Sequence, residues 1–155
     1  MQGFRRLLLA VLALASGQGT ASVFSDMVVL GDSLSDTGNL FFLTSGTIPE
    51  PQFYFEGRFQ NGPAYSEVLY EELGLPGTLT PALLGGSNYA FGGTRSRYHV
   101  TDLDPATGLP PLPGSNPTPL SLLGQLGSYQ TTVNGIADPD ALYIVWSGAN
   151  DIADA

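Results

Sequence analysis

Three short apolar segments, each broken off by a glycine-centred polar turn, constrain this chain more than any other feature. Val23 to Leu30 is apolar, β-branched at several positions, and stops at Gly31-Asp32-Ser33-Leu34. Asn88 to Phe91 is closed by Gly92-Gly93, and Ala141 to Trp146 runs into Gly148-Ala149-Asn150-Asp151. Runs of this length and makeup predict buried strands. Between them lie two segments with apolar residues at helical spacing. Asn61-Gly62-Pro63 offers a cap and a first-turn proline, after which Tyr65, Val68, Leu69 and Leu73 share a face until Gly74 and Pro76 end it. Leu122, Leu123, Leu126, Tyr129 and Val133 repeat the pattern ahead of Gly135. Strands alternating with helices predict an α/β fold with a mainly parallel sheet. In such a sheet the turns at the strand ends converge on its carboxyl edge.

The remaining segments are less regular. From Leu34 to Phe55 glycine, proline and aromatics mix without a period, which predicts a loop with one helical turn. Asp102 to Pro119 holds half of the 12 prolines and reads as an irregular excursion. Residues 1–21 have the form of a signal peptide: Arg5 and Arg6, the apolar run Leu7 to Ala15, then small residues around Ala15 and Ala21. That run is about half of the ~20 residues needed to span a bilayer. The expectation is export, secreted or to the cell envelope, with the mature chain starting near Ser22.

Composition excludes several chemistries. Without cysteine there are no disulfides, thiolate metal sites or thiol nucleophiles. A net charge of -9 with only five basic residues leaves Arg58, Arg95 and Arg97 too scattered for a phosphate-binding patch, so nucleic acid is not an expected partner.

Taken singly, each polar turn has an ordinary explanation. Gly-Asp-Ser is a common turn, a glycine pair is a loop, and Asn-Asp after a strand caps a helix. Together they supply most of an acyl-transfer site, which needs a nucleophilic oxygen, a base, and donors where the tetrahedral oxyanion forms. Ser33 on a tight turn at a helix start exposes a hydroxyl and its own amide, a glycine amide gives a second donor, and an asparagine side chain gives a third.

The order Gly31-Asp32-Ser33-Leu34, then Asn88-x-Ala90-x-Gly92-Gly93, then Gly148-x-Asn150-Asp151 resembles the first three blocks of the GDSL (SGNH) esterase/lipase family. The segment Val28 to Asn39 is similar to the opening of its bacterial esterase and lipase branch. Gly57-Arg58-Phe59-Gln60-Asn61-Gly62-Pro63 also looks like a segment common there. The resemblance extends from about Phe24 to Ile152. It implies a three-layer α/β/α sandwich, incomplete in this chain, and ester hydrolysis through an acyl-serine intermediate. Ser33 would be the nucleophile, and the Ser33 amide, Gly92 and Asn150 the oxyanion hole, with Gly93 as the alternative to Gly92. The implied substrate is a small-molecule or lipid ester, with no cofactor and no metal, and membrane association would come through a C-terminal region missing here. Asp32 and Asp151 are expected to cap helices or bind loops. The family's base is a histidine in a late Asp-x-x-His block. Here the sole histidine, His99, has Ser96 three residues before it rather than an acid. Residues 22–155 therefore read as the N-terminal part of a hydrolase domain without its base, with negligible activity alone. The alternatives are a non-catalytic secreted module that binds an ester or glycan with the same fold, and an acidic structural domain. Phe53-Tyr54-Phe55 is read as core rather than as an acyl contact.

Overall fold

A computed structural model describes residues 22–96 and 121–153. The predicted signal segment, the proline-rich excursion and His99 lie outside the described residues. The elements in chain order are strand β1 (Met27–Gly31), helices α1 (Asn39–Leu43) and α2 (Tyr65–Glu72), a 3-10 turn at Ala82–Leu84, helix α3 (Leu122–Thr132), strand β2 (Leu142–Trp146) and helix α4 (Ala149–Ala153).

β1 is the centre of the sheet. It pairs in parallel with β2, Met27 opposite Leu142 through Gly31 opposite Trp146. On its other side the segment 88–91 runs parallel, with Val29 N–H donating to the Ser87 carbonyl at 3.1 Å, and Tyr89 N–H and Phe91 N–H donating back to Val29 and Gly31 at 2.7 and 3.1 Å. All three predicted strand segments thus lie side by side in one direction. The third forms only an isolated bridge, because Gln125 Oε1 takes the Gly31 N–H, the next rung of that ladder, at 2.8 Å.

Both faces of β1 are covered, which explains why it is apolar without alternation. Met27 and Val29 pack with Tyr70, Leu75, Leu79 and Ala90 on the α2 side, whereas Val28 and Leu30 pack with Tyr89 and Tyr129 on the α3 side. Helix, sheet, helix is the three-layer α/β/α arrangement anticipated from the sequence.

The helix faces differ from the periodic reading. In α2 the buried residues are Ser66 and Tyr70, with Leu69 and Leu73 partly buried, while Tyr65 and Val68 are exposed. The helix starts after Ala64, whose N–H donates to Glu67 Oε2 at 2.7 Å, so the cap is the Glu67 carboxylate rather than Asn61. In α3 the buried face is Gly124, Gln125 and Tyr129, and Leu123 and Leu126 point outward. Hydrophobic spacing misplaces this face because its central contact with β1 is polar. Gln125 accepts the Gly31 N–H and donates from Nε2 to the Gly31 carbonyl and to Thr94 Oγ1, both at 2.8 Å. β2, predicted buried, exposes Tyr143, Val145 and Trp146, since among the described residues nothing pairs with its outer edge.

Gly31 is required by this close approach. A β-carbon there would sit 2.6 Å from the Trp146 carbonyl oxygen and 3.1 Å from Ser35 Oγ. Gly31→Ala is expected to push β2 from β1 and destabilise the fold by about 1–3 kcal/mol, read as a lowered denaturation midpoint; an unchanged midpoint would contradict this packing.

Candidate active site

The turn after β1 is built from backbone hydrogen bonds and one carboxylate. The Asp32 carbonyl accepts Ser35 N–H at 3.0 Å and Asp36 N–H at 3.1 Å, and Asp32 N–H donates to the Trp146 carbonyl at 3.2 Å, tying the turn to β2. Asp32 Oδ1 accepts Leu34 N–H at 3.0 Å. Ser33 sits at the apex, half-buried, on a single hydrogen-bonded turn rather than at a helix start, since α1 begins only at Asn39. Among the described residues neither the Ser33 hydroxyl nor its N–H enters a hydrogen bond.

Asp36 organises the chain beyond this turn. Fully buried, it accepts four backbone N–H groups: Gly38 at 2.8 Å and Asn39 at 2.7 Å on Oδ1, Leu40 at 3.2 Å and Gly92 at 2.9 Å on Oδ2. The first three cap α1 and the fourth reaches the second glycine turn. Burial pushes the Asp36 carboxyl above its ordinary range, opposed by these amide donors. Two buried asparagines complete the frame. Asn39 Nδ2 donates to the Asn88 and Ala90 carbonyls at 2.8 and 2.9 Å, and Asn88 Nδ2 donates to the Ser35 carbonyl at 2.7 Å.

The third turn is fastened to the second. Asn150 Nδ2, on α4, donates to the Thr94 carbonyl at 2.7 Å, leaving its other N–H for a further acceptor. Asp151 accepts Ser96 N–H at 2.9 Å on Oδ2 and the Ser96 hydroxyl at 2.8 Å on Oδ1. Tyr65 OH lies 3.1 Å from Ser35 Oγ, and its ring packs against Trp146 with centroids 5.8 Å apart.

The three sequence blocks are therefore stitched together at the carboxyl edge, block one to two through Asp36 and block two to three through Asn150 and Asp151. Within block two, the Gly92 N–H is held by Asp36 Oδ2 at 2.9 Å. The Gly93 N–H is unengaged among the described residues, and Gly93 has φ 79°, a conformation suited to glycine. Asp32 binds the Leu34 amide and Asp151 the Ser96 amide and hydroxyl, and neither carboxylate hydrogen-bonds Ser33. The frame residues Asp36, Gln125, Asn39 and Asn88 are given no role by the sequence patterns, although Asn88 opens the second block and Asp36 and Asn39 lie in the first segment. A polar residue among small ones carries no periodic signal; only the Asp-x-Gly-Asn spacing at 36–39, an amide-binding turn ahead of a helix, flags the first. Among the described residues no three His, Cys, Asp or Glu side chains cluster closely enough to hold a metal ion.

The family model for GDSL-like lipase/acylhydrolase matches residues 27–155. The chain is 36% identical over 131 residues to a phosphatidylcholine-sterol acyltransferase of Aeromonas hydrophila, covering 83% of this chain and 33% of that protein. It is 29% identical over 143 residues to Lipase 1 of Photorhabdus luminescens, covering 92% of this chain and 18% of that one. A GDSL esterase/lipase of Arabidopsis thaliana is 36% identical over 109 residues, 59% of this chain and 31% of its own. The chain spans a third or less of the length of these relatives.

Hydrogen bonds from the Ser96 amide and then its hydroxyl hold the Asp151 carboxyl below the ordinary carboxylate value. With the folded pKa lower than the unfolded one, the tether between α4 and residue 96 is complete above about pH 4 and is lost as pH falls through the folded pKa. A carboxyl-carbon titration is expected to show Asp151 titrating low, and Ser96→Ala is expected to remove only part of that depression, because the amide donor remains. An ordinary titration in the parent chain would contradict the tether.

Proposed function

The chain belongs to the GDSL-like lipase/acylhydrolase family, and from that membership we propose that it carries the nucleophile and the oxyanion-binding groups of a serine ester hydrolase. The observation that carries the reading is the state of Ser33: a half-buried turn apex at the carboxyl edge, with hydroxyl and amide both unengaged among the described residues.

Ser33 Oγ attacks the ester carbonyl carbon as its proton passes to a base. The resulting oxyanion takes hydrogen bonds from the Ser33 amide, the Gly93 amide and the second N–H of Asn150. Collapse expels the alcohol, to which the base returns the proton, and leaves an acyl-Ser33 ester; water, giving its proton to the same base, cleaves this to the carboxylic acid and restores Ser33. Gly93 replaces Gly92 in this assignment because its amide is unspent. The base is a histidine outside the described residues, which contain none. An ester of a lipid or small molecule is the substrate class.

In this reading residues 1–21 direct export to the cell envelope or beyond, and residues 22–155 form the amino-terminal part of a larger hydrolase domain. Among the described residues nothing pairs with the outer edge of β2, where Val145 and Trp146 are 61% and 51% exposed, a liability that further covering structure would remove. Such structure would also include the base.

In the full gene product, Ser33→Ala is expected to lower kcat for p-nitrophenyl butyrate by roughly 10⁴-fold or more, and Asn150→Ala by about 10²- to 10³-fold. Undiminished turnover by Ser33→Ala would overturn the assignment.

A further inference from the structure

We propose that Asp36 is a positioning residue for acyl transfer, a buried carboxylate that fixes the Gly92–Gly93 turn, and with it the Gly93 N–H, relative to Ser33. The inference rests on the acyl-transfer reading and assigns Asp36 no contact with substrate.

The geometry links the two turns through one side chain. Asp36 is anchored to the nucleophile turn by its own N–H, which donates to the Asp32 carbonyl at 3.1 Å. Its Oδ2 receives the Gly92 N–H at 2.9 Å. Thr94 N–H donates to the Phe91 carbonyl at 3.2 Å and closes a turn in which Gly93 takes φ 79°. The peptide plane carrying the Gly93 N–H is set by Gly92 ψ and Gly93 φ. Holding the Gly92 amide on one side and closing the turn on the other therefore fixes where the Gly93 donor points. Nothing about α1 requires this fourth bond, because Gly38, Asn39 and Leu40 already satisfy the helix start. An oxyanion donor must be in place before the charge develops, so a loosened turn costs rate rather than ground-state binding.

The test uses the full gene product with two substitutions. Asp36→Asn keeps an acceptor on the Oδ1 side and puts an amide NH₂ opposite the Gly92 and Leu40 N–H groups that share Oδ2. Asp36→Ser keeps a short acceptor near α1 that does not reach Gly92, and carries the test if the asparagine variant does not fold. Each is expected to lower kcat for p-nitrophenyl butyrate on the order of 10- to 100-fold with KM changed by less than about two-fold. Affinity for a trifluoromethyl ketone analogue of the ester is expected to fall in step with kcat. Tyr70→Phe is the stability control. It removes hydrogen bonds to Asp26 at 3.3 Å and to the Pro76 carbonyl at 3.0 Å, away from the three turns, and is expected to leave kcat per folded molecule unchanged. Unchanged kcat in a folded Asp36 variant, or a loss no larger than that of Tyr70→Phe, would overturn the proposal while leaving Ser33 as nucleophile. Failure of the underlying reading would appear separately, as activity surviving in Ser33→Ala.

Discussion

Everything at the carboxyl edge of this sheet depends on buried backbone groups finding side-chain partners. Where β1 ends, its amides and carbonyls leave the ladder inside the protein, and an unpaired buried polar group costs about 1–3 kcal/mol. Gln125 answers both peptide groups of Gly31, Asn39 answers the carbonyls of Asn88 and Ala90, and Asp36 answers four amides at once. Apolar packing on the two faces of β1 holds the layers together, but it does not determine where the turns point. That is determined by this polar frame, most of which is fully buried.

A consequence is that the groups left unspent stand out. Around a frame in which so many amides are matched, the Ser33 hydroxyl, the Ser33 amide and the Gly93 amide have no partner among the described residues. Asn150 spends one of its two N–H groups on the Thr94 carbonyl and so is oriented without being used up. Rigid support with unsatisfied donors at the surface of the site is what electrostatic stabilisation of a developing negative charge requires.

The same division decides how much of this is legible in the sequence. The strand segments, their parallel order and the convergence of the three polar turns can be read, because apolar runs ended by glycine report backbone geometry directly. Helix ends are also close, since Gly74 and Gly135 take positive φ of 66° and 75° just past the last turns of α2 and α3. The buried faces of α2 and α3 are misjudged at Tyr65, Val68, Leu123 and Leu126. Periodicity assumes that the inward face is apolar, and here Ser66, Gly124 and Gln125 face inward. Which of the Gly92 and Gly93 amides is already engaged is beyond a pattern match as well, because it turns on a carboxylate 56 residues away in the chain.

The central claim is that Ser33 is the reacting oxygen. It is tested most directly by treating the full gene product with a serine-directed p-nitrophenyl phosphonate and locating the adduct by peptide mass spectrometry. A stoichiometric adduct on the peptide containing Ser33, formed as esterase activity is lost, is the expected result. An adduct confined to another residue, or loss of activity with Ser33 unmodified, would contradict it.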